Sequence, residues 1–363
     1  MREVLRACLW LPVVARACGD CCRALSPPHN LRIEPRIEPR FKPRSNPHFN
    51  PHFNPHFNPH FIPHFKPHFD PRVIFTLGSG FHLLMSIPCR RPAALNAAPV
   101  SRFSRVHGVM TDIDDTLTRD GAIEPAALQA LQQLQAAGVP VVAITGRPLG
   151  WSQALAAHWP LHAVVAENGA VALVRESGGL QTEYAQDLQT RNHNLQRLQG
   201  VSAQILRQVP GATLAQDSAG RVTDMAIDHS EFVTLPTAAI DQVVALMQAA
   251  GMNATVSSIH INGWFGDHSK WSAAQWMVQR LFGRRLDDEL SRWVYVGDST
   301  NDQTMFERFP LSVGVANLQR FADQLTVWPA YITQGERGQG FAELVRVVLA
   351  ARSPQGEARR AAE

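Results

Sequence analysis

Three short apolar runs, each followed at once by a polar side chain, constrain the fold of this chain most strongly. The first leads into Asp112, the second, residues 139–144, into Thr145, and the third, residues 293–297, into Asp298. Continuous apolar runs of this length are typical of strands buried on both faces, as in parallel sheets covered by helices. The pattern predicts an α/β fold, a Rossmann-like doubly wound parallel sheet with its polar groups at the carboxyl ends of the strands.

The first run ends in two carboxylates, Asp112 and Asp114. Alternate side chains of an extended chain point to the same side, so both can converge on one ligand where the strand stops. Paired carboxylates suit Mg²⁺ and also suit nucleophilic and acid–base chemistry on a phosphoryl group. Short acidic motifs also recur by chance at polar strand ends, so the interpretation depends on the other motifs.

Lys270 is the only lysine after residue 100, in a region that otherwise uses arginine as its cation. It stands at the start of a helix-like stretch, residues 271–282. A compact ammonium beside a phosphate and a carboxylate is a role that arginine fills poorly. The alternative is an ordinary surface lysine.

Taken in chain order, four elements resemble the signature motifs of the haloacid dehalogenase superfamily of Mg²⁺-dependent phosphotransferases. They are the DxD of Asp112, the Thr-Gly-Arg that begins at Thr145, Lys270, and the GDxxND that contains Asp298. The resemblance covers roughly residues 105–349. The second aspartate of the DxD favours phosphate transfer over dehalogenation, because a dehalogenase has no leaving-group oxygen to protonate.

The resemblance implies a role for each matched residue. Asp112 would be the nucleophile that forms an aspartyl-phosphate, and Asp114 the acid and base. Lys270 would be the third catalytic residue. The groups expected to contact phosphate or substrate are Thr145, Gly146, Arg147, Asn168 and Asn301. The groups expected to hold Mg²⁺, the implied cofactor, are Asp112, Asp114, Asp298 and Asp302.

Asp115 departs from the family pattern, because many members have glycine there. We expect it to be a loop residue without a direct catalytic role.

The stretch between Thr145 and Lys270 is too long for one strand–helix–strand unit and predicts an inserted domain. The inserted domain comes after an Asn-Gly-Ala turn that begins at Asn168. This turn resembles that of subclass IIB of the superfamily, which includes the Cof-type and sucrose-phosphatase-like members. We predict helices at 188–208 and 237–250 and strands at 222–227 and 254–261. The resemblance implies an α+β cap at 173–262, with the catalytic core at 105–172 and 263–350.

The insert contains no signature of one substrate. His260, Asn262 and Trp264 alternate along a strand, where they either grip sugar hydroxyls or are ordinary hinge residues. Arg147 either pairs with a substrate anion or points into solvent. His193 and His229 have no partner motif, and we interpret them as surface histidines.

Residues 1–100 have a different composition. Proline recurs every fourth residue from Pro35 to Pro71, and six histidines share this period. Such a segment cannot form a core, so we predict disorder for residues 1–100 and for the polar tail 353–363. A polyproline II helix turns successive histidines away from one another, which disfavours a preformed metal site. The repeat also resembles translated tandem DNA, in which case Met85 is an alternative start.

Charge divides at the same boundary. The chain has 34 basic and 31 acidic residues, but the basic excess lies in the first hundred residues, so we expect no nucleic-acid partner. All five cysteines also precede the catalytic region, as expected for a cytoplasmic enzyme. Export remains an alternative, because a short apolar run follows Arg6. No stretch is long and apolar enough for a membrane span.

The sequence therefore predicts a cytoplasmic Mg²⁺-dependent phosphomonoesterase that acts on a sugar phosphate or a similar small phosphorylated metabolite. A phosphomutase would use the same aspartate and return the phosphoryl group to its substrate. An alternative of another class is a non-catalytic sugar-phosphate sensor or a metal-binding protein that uses the histidine repeat. The sequence leaves the oligomeric state open.

Overall fold

The computed structural model describes residues 91–352 with their side chains and residues 72–77 and 81–86 as backbone. The last two segments are strands β1 (Arg72–Leu77) and β2 (Phe81–Ser86), which pair antiparallel. The proline- and histidine-rich repeat, the five cysteines and the tail 353–363 lie outside the described residues, so the predictions made for them remain predictions.

The rest of the described chain alternates strands and helices. The strands are β3 (Ala93–Ala94), β4 (Gly108–Thr111), β5 (Thr118–Arg119), β6 (Ala122–Ile123), β7 (Val141–Ile144), β8 (Ala163–Ala166), β9 (Val171–Glu176), β10 (Gly179–Tyr184), β11 (Thr213–Leu214), β12 (Asp224–Asp228), β13 (Asn253–Val256), β14 (His260–Trp264), β15 (Trp293–Gly297), β16 (Leu311–Gly314) and β17 (Tyr331–Ile332). The α-helices are α1 (Pro125–Ala136), α2 (Leu149–His158), α3 (Leu188–Gln208), α4 (Thr237–Ala249), α5 (Lys270–Phe282), α6 (Gln303–Arg308) and α7 (Arg337–Arg352). Within the described residues, no helix combines the length and the apolarity needed to cross a bilayer.

The main sheet confirms the predicted doubly wound α/β fold. Its nine strands are ordered β10-β9-β8-β7-β4-β15-β16-β17-β3 in the described part of the chain. The pairs from β8 through β3 are parallel, and only β9 and β10 run antiparallel to their neighbours. From β4 the chain winds first towards β8 and later, from β15, towards β17. The strand order therefore reverses between β4 and β15, which is where such sheets bind ligands.

Helices cover both faces of this sheet because successive strand residues point to opposite sides. On one face Val109 and Val294 pack with apolar residues of α1 and α7. On the other face Met110 packs with apolar residues of α5, among them Met277. The central strands are buried along their whole length, which explains why they read as continuous apolar runs in the sequence.

Residues 185–265, which we call the insert, form a sheet of their own, in the order β11-β12-β14-β13. The pairs in this sheet are antiparallel, and its core also includes apolar residues of α3 and α4. The predicted strand 254–261 is wrong, because it spans the end of β13, a turn and the start of β14. In the turn, the Ser257 hydroxyl oxygen accepts a hydrogen bond from the backbone N–H of His260, 3.0 Å away.

Two predicted boundaries differ from the structure. The cap was predicted to begin at residue 173, but β9 and β10 continue the main sheet as an antiparallel hairpin. The hairpin turns at Gly179, whose φ of 115° favours glycine. The prediction that residues 1–100 are disordered is wrong for residues 91–100. There β3 pairs with β17 and Leu95 is buried, because the apolar chain resumes before residue 100.

The segment after β3 adds a buried aromatic ring to the core. Phe103 is fully buried and its ring centroid lies 5.7 Å from that of Tyr331. We expect Phe103→Ala to lower the free energy of unfolding by about 3–5 kcal/mol, because it leaves a cavity against the sheet.

A matched control is Phe232→Ala, at a phenylalanine that is 61% exposed. It should change the free energy of unfolding by no more than about 0.5 kcal/mol. Urea unfolding of both variants measures the difference, and equal stabilities would contradict the placement of residues 91–103 on the core.

Candidate active site

Three of the four sequence motifs meet around one ammonium group. Lys270 is the first residue of α5, whose N-cap is Ser269. Its Nζ donates hydrogen bonds to Oδ1 of Asp112 at 2.6 Å and Oδ1 of Asp302 at 2.8 Å, and it lies 3.3 Å from Oδ1 of Asn301. The lysine is 6% exposed. Burial lowers the pKa of Lys270, but the two aspartates outweigh this effect and raise it, so the group stays charged.

Asp302 is committed to hydrogen bonds with the protein. Its Oδ1 accepts from Lys270 and from the hydroxyl of Tyr295, and its Oδ2 accepts from the backbone N–H groups of Asp298 and Ser299, at 2.9 and 3.1 Å. A carboxylate offers about four lone-pair positions. Asp302 was predicted to be a metal ligand. That role remains a prediction, and in this arrangement Asp302 also holds Lys270 and the turn after β15.

The surroundings of the Asp298 carboxylate favour a bound cation. Asp298 is fully buried, and its Oδ1 has no hydrogen-bond partner among the described residues. Its Oδ2 accepts from Nδ2 of Asn317 at 3.1 Å. Burial and the nearby carboxylates of Asp112 and Asp302 raise the pKa of Asp298. An unpaired buried carboxylate oxygen among like charges is costly unless a cation binds there.

Ligand atoms of Asp112, Asp298 and Asp302 lie within 4.8 Å of one another and form an acidic group that could hold a metal ion. Burial is also the main cause of a raised pKa at Asp112, with Asp302 and Asp114 adding to it and Lys270 opposing it. A bound cation would favour the charged form of these carboxylates. All the donors are oxygen atoms, which hard divalent cations prefer.

Arg147 joins the second motif to the first and to the insert. Its Nε donates to both oxygens of Asp114, at 3.0 and 3.1 Å, and its other nitrogens pair with Asp217 at 3.2 Å and Glu231 at 2.7 Å. Arg147 is 4% exposed, so it does not point into solvent. Burial raises the pKa of Glu231, but hydrogen bonds from His260 and Arg147 outweigh this and lower it to about 2.

Glu167 ties the insert to the core. This buried carboxylate accepts hydrogen bonds from the backbone N–H of Leu149, at the start of α2, and from those of Val222 and Thr223 in the insert, at 3.0, 3.0 and 2.6 Å. Asn168, next in the chain, donates to Asp224 of the insert at 3.0 Å. The buried Asn168 side chain therefore binds the insert.

The loop after β7 also touches the insert closely. The carbonyl of Gly146 accepts a hydrogen bond from Arg221 at 2.9 Å. A Cβ atom at position 146 would lie 2.9 Å from Nδ2 of Asn262, so only glycine fits without a shift. Thr145, before it, directs its Oγ1 to the backbone N–H of Arg147, which donates to it at 3.0 Å.

Of the predictions for the histidines and the tryptophan of the insert, the one for His229 is wrong. His229 is buried, with Nε2 3.0 Å from the carbonyl oxygen of Ser257, so its interpretation as a surface residue is wrong. His193 is exposed, as predicted. Nε2 of His260 lies 2.8 Å from Glu231. Trp264 donates from Nε1 to the carbonyl oxygen of His268 and packs where the insert rejoins the core.

Beside Asp114 a cavity of about 430 Å³ opens between the core and the insert. Its polar and charged lining comes from loops on both sides and includes Asp114, Asp115, Arg147, Glu231, Arg320 and Arg337. Asp115 is part of this wall and binds two arginines. The sequence predicted a loop residue and did not predict these contacts. The φ of 54° at Asp115 explains why glycine suits this position.

The sequence did not predict five residues that contact this site: Asp217, Glu231, Asn317, Arg320 and Arg337. None belongs to one of the four motifs, although Asn317 directly follows the apolar run 311–316. One signal is backbone conformation. Among the described residues, the non-glycine residues with positive φ are Asp115, Asp120, Glu167, Asn168 and Arg337, and all lie at the cavity or at the junction with the insert. Such strained positions cluster at functional sites.

A sequence model of the family described as haloacid dehalogenase-like hydrolase matches residues 109–204, which include the DxD, the Thr-Gly-Arg and the Asn-Gly-Ala turn. Over these residues the chain is similar to the haloacid dehalogenase-like hydrolases. It is 24% identical to a phosphoglycolate phosphatase of Methanothermobacter thermautotrophicus over 243 residues, which are 66% of this chain and 98% of the relative.

Solved structures share the fold of this chain. A Thermoplasma acidophilum protein, 0175, aligns with a TM-score of 0.51 and 16% identity over 67% of this chain and 98% of that one. The sucrose-phosphatase of Synechocystis sp. PCC6803 aligns with a TM-score of 0.50 and 19% identity over the same shares. The C-terminal domain of C. albicans trehalose-6-phosphate phosphatase aligns with a TM-score of 0.53 and 12% identity over 73% of this chain and all of that domain.

Proposed function

We propose that this hydrolase is a Mg²⁺-dependent phosphomonoesterase that acts through an aspartyl-phosphate on a small phosphorylated metabolite, with sugar phosphates among the candidates. The observation that carries the proposal is the buried Lys270 between Asp112 and Asp302, next to an Asp298 oxygen without a partner among the described residues. The curated relative is named as a phosphatase, which supports the same reaction class.

The charges of the site suit attack by one anion on another. A phosphate monoester brings about two negative charges, so a carboxylate nucleophile is repelled unless cations offset them. Lys270 supplies one positive charge, 2.6 Å from Asp112. A bound Mg²⁺ would supply two more and polarise the phosphoryl oxygens. Asp112 and Asp298 would hold this ion together with the main-chain carbonyl of Asp114, while Asp302 positions Lys270.

Hydrolysis then takes two steps. In the first, an oxygen of Asp112 attacks phosphorus, the ester P–O bond breaks, and Asp114 gives a proton to the departing oxygen. In the second, Asp114 takes a proton from water, the water oxygen attacks phosphorus, and Asp112 is released with inorganic phosphate. Thr145 is placed at the end of β7, beside β4, where its side chain or backbone would hold a phosphoryl oxygen.

The insert would act as a cap over this reaction. Arg147 and Glu167 bind residues of both the core and the insert. Closure over an acyl phosphate excludes bulk water and leaves the one water that Asp114 activates. The insert also supplies part of the cavity lining beside Asp114, so it is where substrate selection is expected.

Release of inorganic phosphate tests the proposal. We expect the purified chain with Mg²⁺ to release phosphate from members of a panel of sugar phosphates and phosphorylated acids. EDTA should abolish the release and excess Mg²⁺ should restore it. Analysis of the organic product distinguishes a phosphatase from a mutase, because a mutase returns the phosphoryl group to its substrate. Equal rates with Mg²⁺ and with EDTA would contradict the proposal.

The metal site has its own test. Mg²⁺ should raise the Tm of the wild-type chain by binding the folded state, and Asp298→Asn should remove this effect because it deletes a charged ligand. Asp323→Asn, an exposed aspartate outside the site, is the control and should respond like the wild type. A Tm increase of the same size in Asp298→Asn would contradict the assigned ligand.

A further inference from the structure

Two arginines converge on Asp115 at the wall of the cavity. Nε of Arg337 donates to Oδ1 of Asp115 at 2.6 Å, and Nη2 of Arg320 donates to Oδ2 at 3.1 Å. Both arginines line the cavity beside Asp114. The side chain of Arg337 is 14% exposed, whereas that of Arg320 is 47% exposed. One carboxylate therefore orients two guanidinium groups next to the reaction centre.

Asn317 connects this cluster to the proposed metal site. Its Nδ2 donates to the carbonyl oxygen of Asp115 at 2.9 Å and to Asp298 at 3.1 Å. Its Oδ1 accepts from the backbone N–H of Arg337 at 2.9 Å. Nη2 of Arg320 lies 3.6 Å from Oδ2 of Asp298. The two arginines are thus held within a small molecule's reach of the position where phosphate would bind.

Each guanidinium keeps donors that its protein contacts do not use. Among the described residues, Nη1 of Arg320 and Nη2 of Arg337 make no hydrogen bond. Besides Asp115, the acidic groups near these arginines are Asp298 at 3.6 Å, Glu336 at 3.5 Å, which is 57% exposed, and Asp120, which lines the same cavity. A bound cation at Asp298 would further free Arg320. The two arginines therefore keep N–H groups that no described residue uses.

The backbone supports the same conclusion. Asp115 and Arg337 have φ values of 54° and 49°, in the left-handed region that non-glycine residues rarely adopt. Both side chains line the cavity. Residues held in such conformations at a ligand-binding wall point to recognition.

We propose that Arg320 and Arg337, oriented by Asp115, bind a carboxylate on the leaving group, so that the substrate is a small phosphate ester of a hydroxy acid. This inference rests on the proposed phosphatase function. Planar guanidinium groups match the planar carboxylate with two parallel hydrogen bonds. Glu231, from the insert, also lines the cavity and would repel a carboxylate turned towards it. Because Arg320 lies so close to Asp298, the carboxylate must be only a few bonds from phosphorus.

Two probes that differ in one group test the inference. 2-Phosphoglycolate carries a carboxylate where 2-hydroxyethyl phosphate carries a neutral alcohol. The measured quantity is the ratio of kcat/KM for the first to kcat/KM for the second. We expect the wild-type ratio to exceed about ten, and Arg320→Ala to lower it at least about tenfold, the effect of losing a charge-assisted hydrogen-bond pair.

Arg337→Lys keeps the positive charge but removes the fork, so it should also lower the ratio. Arg346→Ala is the matched control. It removes the same charge from an exposed position on α7, where Nε contacts only the helix's own carbonyl of Ala342, and the ratio should stay at the wild-type value. An equal fall in the control would show a general charge effect and overturn the inference.

The outcomes separate the inference from the proposed function. Hydrolysis of sugar phosphates with a wild-type ratio at or below one would overturn the carboxylate site and leave the phosphatase standing. A ratio above ten that neither Arg320→Ala nor Arg337→Lys changes would likewise overturn it. Failure to release phosphate from any ester in the panel, with Mg²⁺ present, would overturn the phosphatase itself.

Discussion

Asp112→Asn should lower the rate of phosphate release at least about a thousandfold and leave the fold intact. The amide has nearly the same shape as the carboxylate, and its oxygen can still accept the hydrogen bond from Lys270, but it cannot attack phosphorus. Burial and neighbouring carboxylates raise the pKa of Asp112, so its charge is not a source of stability in the absence of metal. The Tm of the metal-free variant should therefore equal or exceed that of the wild type.

The control for this variant is Asp288→Asn, which removes one negative charge from a side chain that is 72% exposed and remote from the cavity. Its rate should match the wild type. Phosphate release is measured under single-turnover conditions with Mg²⁺, and acid-quenched protein is examined for covalent phosphate. Substantial turnover by Asp112→Asn, or covalent phosphate retained in it, would rule out Asp112 as the nucleophile.

Lys270→Ala is expected to cost about 2–4 kcal/mol of transition-state stabilisation, the range for losing one preorganised electrostatic group. Its ammonium contacts both Asp112 and Asp302, so its removal leaves two buried carboxylates without a cation. That loss also destabilises the folded chain. Lys270→Arg should recover only part of the rate, because the larger planar group cannot occupy the same point between the two oxygens.

The measurement is kcat/KM at saturating Mg²⁺, accompanied by Tm to separate a catalytic effect from unfolding. Arg280→Ala provides a control on the same helix, since Arg280 is bonded to Glu176 and Glu183 on the surface and does not line the cavity. A Lys270→Ala protein that is folded and has wild-type kcat/KM would show that another cation serves the site. Arg147 and Arg320, which line the cavity, would then be the next to test.

The sequence predicted the core of the fold because its signals are local. A strand buried on both faces needs four or five consecutive apolar residues. The end of each such run indicates which polar residue lies at the end of the strand, as at Asp112 and Asp298. Lys270 stood out by composition alone. The structure brings Asp112 and Asp298 together, as expected for strand ends that share one edge of a parallel sheet, and Lys270 reaches Asp112 from the start of α5.

The misses are contacts between segments far apart in the chain. Asp115 meets Arg320 and Arg337 only after the whole sheet has formed, and nothing in the surrounding residues signals that pairing. For Asp302, which was predicted to be a metal ligand, only the structure shows that Tyr295 and the turn after β15 also donate hydrogen bonds to it. The identity of a residue in a motif does not show how many lone pairs of its carboxylate already accept hydrogen bonds from the protein.

Boundaries failed for a related reason. Residues 171–174 are as apolar as a core strand, but the family resemblance ended the first part of the core at residue 172, so β9 and β10 were assigned to the cap. The run 254–261 alternates well enough for one strand, and two adjacent serines were the only sign of a turn. Periodicity measures the average direction of side chains and not the point where a chain reverses.

Glu167 limits how this protein can change over evolutionary time. The insert looks like a removable module, since the chain leaves and re-enters the core at two joints. Yet backbone N–H groups deep inside it, at Val222 and Thr223, satisfy a carboxylate that belongs to the core. A foreign insert whose loop does not bring backbone N–H groups to the same place would leave this buried carboxylate with the N–H of Leu149 alone, at a cost of several kcal/mol. New specificity is therefore reached more easily by replacing single residues of the lining than by exchanging the whole module, and any successful chimera should carry a substitution at position 167.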